Sequence, residues 1–390
     1  MSDISKKTPV QLQVQGQTAQ GFETVKTAFE EILATSDEAG AGFCVLKDGE
    51  YLVDLVGGTK DRRQTEAWQA DTLIPVFSTT KAISAIVIAY LVENDRLDYD
   101  QTVASLWPEF AAHGKDKVTV AQALSHQAGL SGPTEPMEPV DWYDYHGMCA
   151  RLAAQKPIWE PCTASGYHPV TYGFLAGEIA RRADAKGRML GVILQEDICG
   201  PENIDFFIGT PESEHARCGD LHKPRAISNL GEINAATKAA FLNKWSSPGG
   251  KKTADWRQAE FAGANGHGTA KAIARLMQLA MDGHIGDTQY LSEQTLYEMS
   301  RTRISGDNLV LPFDLTIAAG LMINHPNHFY GPNESTLGHS GWGGSCGFAD
   351  ASEGITVAYV MNKQSNVLIG DPRPMKLIKA LYACLESQFV

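Results

Sequence analysis

Four residues, Ser78-Thr79-Thr80-Lys81, begin a stretch that continues to Leu97 with the apolar spacing of a helix. The apolar positions that recur at this spacing are Ile83, Ile86, Val87, Tyr90 and Leu91. Residues three apart on a helix are surface neighbours, so we expect the Lys81 amine to reach back one turn to the Ser78 hydroxyl. A serine hydroxyl becomes a nucleophile when a base removes its proton, and an amine acts as that base when burial or another cation lowers its pKa. Unpaired backbone N–H groups and the positive dipole end at a helix start favour an anion beside Ser78. The stretch therefore predicts an acyl-serine enzyme.

The same four residues also have a purely structural interpretation. A Ser-x-x-Lys match arises by chance about once or twice in a chain of this length. The apolar approach at 72–77 and the apolar faces of the helix predict that Lys81 is buried. Because buried charges are rarely left without a partner, the structural interpretation requires a carboxylate that faces Lys81.

Composition limits the classes of protein and partner. The 390 residues are 43% hydrophobic, enough for a large core and for two or three structural units. The net charge is −13 and no basic run is longer than a pair, which argues against nucleic acid and anionic membranes as partners. Met1 to Gln20 is polar and lacks the apolar core of a signal peptide, and the apolar stretch Ala82 to Val92 is too short to span a bilayer. We therefore expect a soluble, cytoplasmic protein.

Cysteine usage indicates neither a disulfide framework nor a zinc site. The seven cysteines are scattered, odd in number and without a Cys-x-x-Cys pair. We expect most of them to be small buried hydrophobes.

Periodicity and turn signals predict the order of elements. Two apolar runs in 42–57 flank Asp48-Gly49, a dipeptide that favours a tight hairpin turn. Thr119 to Gln122 reads as a capping box that opens a short helix ending near Gly129. The remaining predictions are helices at 22–33, 172–179, 269–283 and 374–385, loops with short helices at 200–263, and strand-like runs at 315–324, 344–349 and 355–362.

Strands near both ends with helices between them predict an α+β fold, an α/β sandwich. One antiparallel sheet, built from both termini, is covered by helices, and a mainly helical domain is inserted. We place the sheet domain at 20–78 and 262–390 and the helical domain, with long loops, at 79–261.

Several separate blocks, in the same order, carry a resemblance to a known superfamily. They are Ser78-Thr79-Thr80-Lys81, Leu124-Ser125-His126-Gln127-Ala128-Gly129-Leu130, Trp159-Glu160-Pro161, Tyr167-His168-Pro169, Asn265-Gly266-His267-Gly268 and Gly338-His339-Ser340-Gly341-Trp342-Gly343-Gly344. The chain resembles the serine β-lactamase and penicillin-binding superfamily, most closely the family VIII carboxylesterases, over Phe22 to Leu385. The resemblance implies a β-lactamase-like fold.

Carried over residue by residue, the resemblance implies a catalytic set. Ser78 is the nucleophile, Lys81 its general base, and Tyr167 the phenol that passes a proton to the leaving group. A phenol titrates near pH 10 in water, so Tyr167 needs the Lys81 ammonium nearby to favour a phenolate or a strong hydrogen bond. Without the surrounding blocks, Tyr167 reads as a packing aromatic before a helix.

The glycine-rich block implies the remaining binding groups. The resemblance makes the backbone N–H groups of Ser78 and Trp342 the oxyanion hole, where glycines permit close approach. It makes His339, Ser340, Gly341, Trp342 and Gly343 the substrate-binding residues. A bulge or turn between strands is the structural alternative for these glycines.

Three positions depart from the family pattern. His339 replaces the lysine of β-lactamases, so a fixed positive charge becomes a group that is mostly neutral at pH 7. Pro169 replaces the asparagine of their Tyr-x-Asn motif and removes a side-chain amide. Both changes favour esters over β-lactams as substrates. Cys162 stands where many relatives carry glycine, with no evident function.

Competing motifs are weaker. Gly343-Gly344-Ser345-Cys346-Gly347 fits the Gly-x-Ser-x-Gly elbow of α/β-hydrolases, but that fold needs a histidine after the serine and none follows His339. The pair His325 and His328 flanks a proline and lacks a third ligand, so we expect a loop and no metal.

The leading functional hypothesis is a hydrolase of short-chain carboxylic esters that works through an acyl-enzyme, with weak β-lactam hydrolysis or acyl transfer as side activities. The alternatives are a β-lactamase or D-alanyl peptidase-like enzyme and, from another class, a non-catalytic scaffold. The expected partner is a small-molecule ester, no cofactor is required, and no nucleotide-binding signature occurs. We expect the acyl pocket to be lined by loops at 131–142 and 218–261.

Overall fold

A nine-stranded antiparallel sheet forms the centre of the computed structural model, which describes residues 13–35, 37–224, 226, 228–249 and 253–387. The fourteen described strands are β1 Val14–Thr18, β2 Gly40–Lys47, β3 Glu50–Gly58, β4 Ile74–Pro75, β5 Phe206–Phe207, β6 His267–Gly268, β7 His284–Ile285, β8 Thr288–Gln289, β9 Ile304–Asp307, β10 Asp314–Ile317, β11 Met322–Ile323, β12 Leu337–Ser340, β13 Cys346–Asp350 and β14 Ile355–Met361. The large sheet has the order β1-β3-β2-β14-β13-β12-β11-β10-β9. Strands from both ends of the chain therefore pair at β2 and β14.

Helices cover both faces of this sheet. The described α-helices are α1 Glu23–Leu33, α2 Thr80–Glu93, α3 Val103–Leu106, α4 Val120–Leu124, α5 Tyr145–Ala154, α6 Thr171–Ala183, α7 Leu190–Ile193, α8 Ala235–Thr237, α9 Ala254–Gln258, α10 Ala270–Met281, α11 Glu293–Ser300 and α12 Pro372–Ser387. Short 3-10 helices lie at Phe77–Thr79, Pro108–Gly114, Pro139–Tyr143 and Glu212–Arg217, and π-helical turns at Leu194–Cys199 and Lys238–Leu242. The predicted α+β fold with a sheet from both termini is confirmed.

The side chains of each central strand are buried alternately on the two faces of the sheet, and this explains why helices cover both faces. Alternate residues of a strand point to opposite faces. On β2, Phe43 and Val45 pack in the cluster that contains α1 and α12, whereas Cys44 and Leu46 pack in the cluster that contains α2 and α10. Both faces of the central strands are thus buried, as a three-layer arrangement requires.

The structure confirms the predicted hairpin turn, the predicted capping box and the predicted burial of most cysteines. Asp48 and Gly49 have φ values of 49° and 84° and join β2 to β3, as expected for a tight hairpin. Thr119 and Gln122 form the predicted capping box. Five of the seven cysteines are buried and all are free.

Several boundaries differ from the sequence prediction. The helix after Ser78 ends at Glu93 rather than Leu97, and α4 ends at Leu124 rather than near Gly129. The strand-like run at 315–324 is two strands, because Gly320 adopts φ 93° in the turn between β10 and β11. Apolar residues fill this turn, so hydrophobicity alone did not reveal it.

Residues 1–12 of the polar Met1 to Gln20 segment lie outside the described residues. The division into domains at 20–78, 79–261 and 262–390 stays a prediction. In the described part of the chain, no helix combines the length and apolar character needed to cross a membrane.

Helix α2 is buried on most of its surface, including Ile83, Ile86 and Val87 at 0% exposure. It packs against α6 and α10 beneath the sheet. A helix that is apolar all round belongs in a core, so α2 fixes Ser78 and Lys81 at its first turn relative to the rest of the fold.

Graded truncation of Ile86 tests this position. Ile86→Val should lower the free energy of unfolding by about 0.5–1.5 kcal/mol and Ile86→Ala by about 2–5 kcal/mol, because each truncation leaves a cavity in a packed core. Urea denaturation measures both. The control Ile233→Ala, at a side chain that is 53% exposed, should change it by less than about 0.5 kcal/mol. Equal effects at the two sites would contradict the central placement of α2.

Candidate active site

Ser78 sits at the junction of a short strand and helix α2. Strand β4 pairs with β6, and the Val76 N–H donates to the Gly266 carbonyl at 2.9 Å. The next residue, Phe77, has φ 46°, a value that is uncommon for a bulky side chain. Its ring lies edge-on to Trp342 with centroids 5.7 Å apart. Packing thus holds a strained turn, which leaves Ser78 partly exposed while its neighbours are buried.

The two threonines of the Ser-Thr-Thr-Lys segment anchor this turn. Thr80 Oγ1 accepts a hydrogen bond from the Gly266 N–H at 2.8 Å. Thr79 Oγ1 lies 3.0 Å from Ser345 Oγ, which donates to the Val76 carbonyl at 2.8 Å. The Asn265-Gly266-His267-Gly268 block therefore supports the strand and helix that carry Ser78.

Lys81 is fully buried and lies one turn from the serine. Its Nζ is 3.1 Å from Ser78 Oγ, 2.9 Å from the Pro169 carbonyl oxygen and 2.8 Å from the Gly263 carbonyl oxygen. Among the described residues, no carboxylate pairs with Lys81. The partner that the structural interpretation requires is therefore not among them.

Burial lowers the pKa of Lys81 well below its ordinary value of 10.5. A neutral amine has two N–H donors and one lone pair. Two backbone carbonyls occupy the donor directions, so the lone pair is left to face the Ser78 hydroxyl.

Tyr167 lies against the same amine. Lys81 Nζ is 4.8 Å from the centroid of its ring. Its backbone N–H donates to Asn308 Oδ1 at 3.1 Å, and the preceding Gly166 N–H donates to the His126 carbonyl at 3.0 Å. Asn308 and the Leu124–Leu130 block, through His126, thus position the tyrosine backbone.

Burial raises the pKa of Tyr167 above its ordinary value of 10.0, and a hydrogen bond with Ser78 partly opposes the shift. The sequence left open whether Tyr167 is a phenolate or a strongly hydrogen-bonded phenol. With Lys81 shifted toward the neutral amine, the protonated phenol is favoured.

Three buried histidines surround the tyrosine. The rings of His126 and His339 have centroids 4.7 Å and 6.1 Å from that of Tyr167. Burial lowers the pKa of His168 and of His339 to about 3, and lowers that of His126 well below its usual range. All three are therefore neutral at pH 7 and add no cation beside Lys81.

The glycine-rich block forms a tight turn between β12 and β13. The Gly341 N–H donates to the Ser345 carbonyl at 2.7 Å, and the Gly344 N–H to the Gly341 carbonyl at 3.1 Å. A side chain at 341 would place its Cβ 2.1 Å from the Val76 carbonyl oxygen, so only glycine lets the turn approach the strand before Ser78. Arg373 Nη2 donates to the Gly343 carbonyl at 2.7 Å and holds the turn from behind.

A cavity of about 460 Å³ opens beside this turn. Ser78, Tyr167, Ser340 and Trp342 line it. Much of its remaining lining is apolar: Phe241, Leu242, Leu311, Met322, Leu368 and Ile369. The expected loop at 218–261 contributes to this lining, whereas the loop at 131–142 does not.

The substrate-binding residues expected from the sequence separate into two groups. Ser340 and Trp342 line the cavity, but His339, Gly341 and Gly343 do not. That the His339 side chain contacts substrate stays a prediction. Its ring is 1% exposed and lies near Tyr167, because successive side chains of β12 face opposite sides of the strand.

Cys162 has a backbone explanation. Its φ is 67°, in the left-handed region that glycine adopts without strain. Among the residues that the structure describes, no group of three or more histidine, cysteine or acidic side chains forms a metal cluster. His325 and His328 lie in the loop between β11 and β12, as predicted.

Sequence reasoning missed several residues that position the site. They are Pro169 and Gly263 through their carbonyls, Asn308, Ser345 and Arg373. A carbonyl acceptor leaves no trace in side-chain identity. Ser345 did carry a signal, since it lies in the Gly-x-Ser-x-Gly motif, but its buried hydrogen bonds give it a supporting role.

Comparison with known families decides the assignment. A family model described as Beta-lactamase matches residues 25–379. The chain belongs to the beta-lactamase family. The family is part of a serine hydrolase superfamily that includes esterases. The resemblance found in the sequence is thus confirmed.

Similar proteins in this family include an esterase and a penicillin-binding protein homologue. The chain is 31% identical over 365 residues to Esterase/beta-lactamase LipL of Mycobacterium tuberculosis, covering 89% of this chain and 82% of LipL. A penicillin-binding protein homologue from Caulobacter crescentus is 50% identical with a TM-score of 0.92, covering 95% of this chain and 100% of that one. A family VIII carboxylesterase is 39% identical with a TM-score of 0.89, covering 95% and 100%.

The buried amine makes a prediction about stability. The unfolded chain binds a proton at Lys81 up to about pH 10.5, whereas the folded protein releases it at a lower pH. Between these pKa values the unfolding free energy of the wild type should rise with pH relative to that of Lys81→Met, by up to about 1.4 kcal/mol per pH unit. The Lys81→Met variant should thus have the larger unfolding free energy. The difference between the two proteins should become smaller as the pH rises toward about 10.

Urea denaturation of both proteins across this pH range measures the margin. Lys117→Met, at an exposed position, serves as the control for replacing a lysine by methionine. A margin between wild type and Lys81→Met that does not change with pH would show that folding leaves the Lys81 pKa unchanged.

Proposed function

We propose that this protein is a carboxylesterase that cleaves short-chain esters through an acyl-enzyme at Ser78. One observation carries the proposal: a fully buried amine, Lys81, lies 3.1 Å from a serine oxygen at the edge of an apolar cavity. A nucleophile and a base within hydrogen-bond reach are what covalent catalysis of acyl transfer requires.

In the first step, the Ser78 oxygen attacks the ester carbonyl carbon and its proton passes to the Lys81 lone pair. The low pKa of Lys81 supports this role, because an ammonium has no lone pair to accept the proton. The two carbonyls of Pro169 and Gly263 keep the amine directed at the serine and stabilise the ammonium that forms.

In the second step, the C–O bond to the alcohol breaks and the leaving oxygen takes the phenolic proton of Tyr167. Lys81 returns its proton to the phenolate, so the pair ends in its starting state. A phenol that remains protonated at neutral pH suits this donor role. Water then attacks the acyl-enzyme, and the same groups transfer protons in the reverse order. The acid is released and the Ser78 hydroxyl is restored.

The negative oxygen formed in each step needs hydrogen-bond donors. We assign this role to the backbone N–H groups of Ser78 and Trp342, which belong to the two turns at the cavity wall. Ser345 links these turns by bonding to Val76 and Thr79, and Arg373 fixes Gly343 next to Trp342. Such fixed donors need little reorganisation during the reaction.

Esters fit the site better than β-lactams or peptides. The His339 ring that replaces the β-lactamase lysine is buried and has a pKa of about 3, so it offers no cation to a lactam carboxylate. Pro169 supplies only a backbone carbonyl, which already binds Lys81. A non-catalytic scaffold has no need of a buried amine without a carboxylate, which costs stability at neutral pH.

Two serine variants test the proposal. Ser78→Ala should lower turnover of p-nitrophenyl butyrate by about three orders of magnitude or more, because the nucleophile is lost. Ser345→Ala should remain folded and active, with a partial loss from the weakened link between the turns. Intact-protein mass spectrometry after treatment with a fluorophosphonate should show one adduct on the wild type and on Ser345→Ala.

Absence of the adduct from Ser78→Ala completes the expected pattern. Adduct formation on Ser78→Ala, or its loss from a folded Ser345→Ala protein, would place the nucleophile elsewhere. No adduct on the wild type, together with no ester turnover, would favour the scaffold alternative.

A further inference from the structure

A second cavity of about 670 Å³ adjoins the one that contains Ser78. The side chains of Phe77 and Trp342 line both spaces, together with Lys223, Ser247 and Pro248. We call this second space the side arm. Phe77 and Trp342 also line the cavity beside Ser78, so the side arm borders the space in which a substrate would bind.

The side arm is positively charged within an acidic protein. Arg62 and Lys223 line it, and no Asp or Glu appears among the described residues that line either cavity. The chain as a whole carries a net charge of −13. A cleft lined by one sign of charge concentrates ligands of the opposite sign, so Arg62 and Lys223 favour an anion in the side arm.

The Arg62 guanidinium bonds to a backbone carbonyl, and no carboxylate in the described part of the chain forms an ion pair with it. Its Nε and Nη2 donate to the Leu221 carbonyl oxygen at 2.9 Å and 2.8 Å. Arg217 and Arg373, by contrast, bind carboxylates bidentately or through several bonds. The Asp220 Oδ2 atom accepts the Arg62 backbone N–H at 3.3 Å, and Asp220 does not line the side arm.

The position of Tyr167 indicates which end of an ester substrate lies near Arg62 and Lys223. Tyr167, the proposed proton donor to the leaving alcohol, lines the main cavity only. The alcohol therefore belongs in the main cavity, whose lining is largely apolar. The acyl part is left to extend past Phe77 and Trp342 toward Arg62 and Lys223.

We infer that the side arm binds an anionic group at the far end of the acyl chain, so that preferred substrates are half-esters of short dicarboxylic acids with an apolar alcohol. This inference rests on the proposed esterase function and specifies its substrate class. Arg62 supplies a planar guanidinium that suits a carboxylate, and Lys223 a second charge at the border of the two cavities.

Matched substrates test the inference. The specificity constants kcat/KM are compared for p-nitrophenyl hydrogen glutarate and for the same ester with its free carboxylate methylated. A second pair of substrates, 4-(butyryloxy)benzoate and its methyl ester, places the anion on the leaving alcohol instead of the acyl chain. The wild type should prefer the acyl-side anion over its methyl ester by roughly five- to ten-fold, as expected for exposed charges.

Charge removal should weaken that preference. In Arg62→Gln and Lys223→Gln the ratio of anionic to neutral ester should fall about two- to five-fold each, and in Lys223→Glu below one. Lys117→Gln, an exposed site that lines neither cavity, is the control. Raising ionic strength from about 0.01 M to about 1 M, which shortens the Debye length from about 30 Å to 3 Å, should lower the wild-type ratio in the same way without any substitution.

A wild-type ratio near one, or a ratio that neither salt nor the Arg62 and Lys223 substitutions change, overturns the anion site. A preference for the alcohol-side anion overturns the assignment of the side arm to the acyl group. In either case, turnover of the neutral ester by the wild type leaves the esterase proposal standing. If the wild type hydrolyses none of these esters, the esterase proposal itself is refuted.

Discussion

The site depends on a buried lysine amine with which no carboxylate of the described residues pairs. Burial disfavours the ammonium, and the partners of Nζ within 13–35, 37–224, 226, 228–249 and 253–387 are the Pro169 and Gly263 carbonyls and Ser78. A surface lysine would be protonated and could not accept the serine proton. The fold must therefore bury the Lys81 side chain, and it does so by enclosing α2 between helices and the central sheet.

Other parts of the chain bring the remaining groups to this turn. The loop before α6 supplies Tyr167, and the hairpin of β12 and β13 supplies Ser340 and Trp342. Two polar contacts fix the hairpin turn: Ser345 joins it to the strand before Ser78, and Arg373 at the start of α12 joins it to the carboxyl-terminal helix. Arg373 itself is held by Asp371 and by Glu38, whose pKa burial raises to about 6. The geometry around the serine thus depends on residues from both ends of the chain.

Features encoded over a few residues could be predicted from the sequence. The Asp48-Gly49 hairpin, the Thr119 capping box and the spacing of Ser78 and Lys81 follow from turn chemistry and helix geometry. Features that depend on long-range packing could not. The carbonyl at Gly263 lies far from Lys81 in sequence, and the burial of His339 depends on which face of β12 meets Tyr167. Motif identity marked His339 as a site residue, but only the packing shows that its ring is withdrawn from the cavity.

The ionisation state of Lys81 tests the account most directly. Carbon-13 NMR of protein labelled at the lysine Cε, with the Lys81 signal assigned by its absence from Lys81→Met, follows the titration of this one amine. The account predicts a Lys81 pKa well below the ordinary 10.5 and a neutral amine at the pH where the enzyme is active. A Lys81 signal that titrates at or above 10.5 would contradict it, because the serine would then have no base.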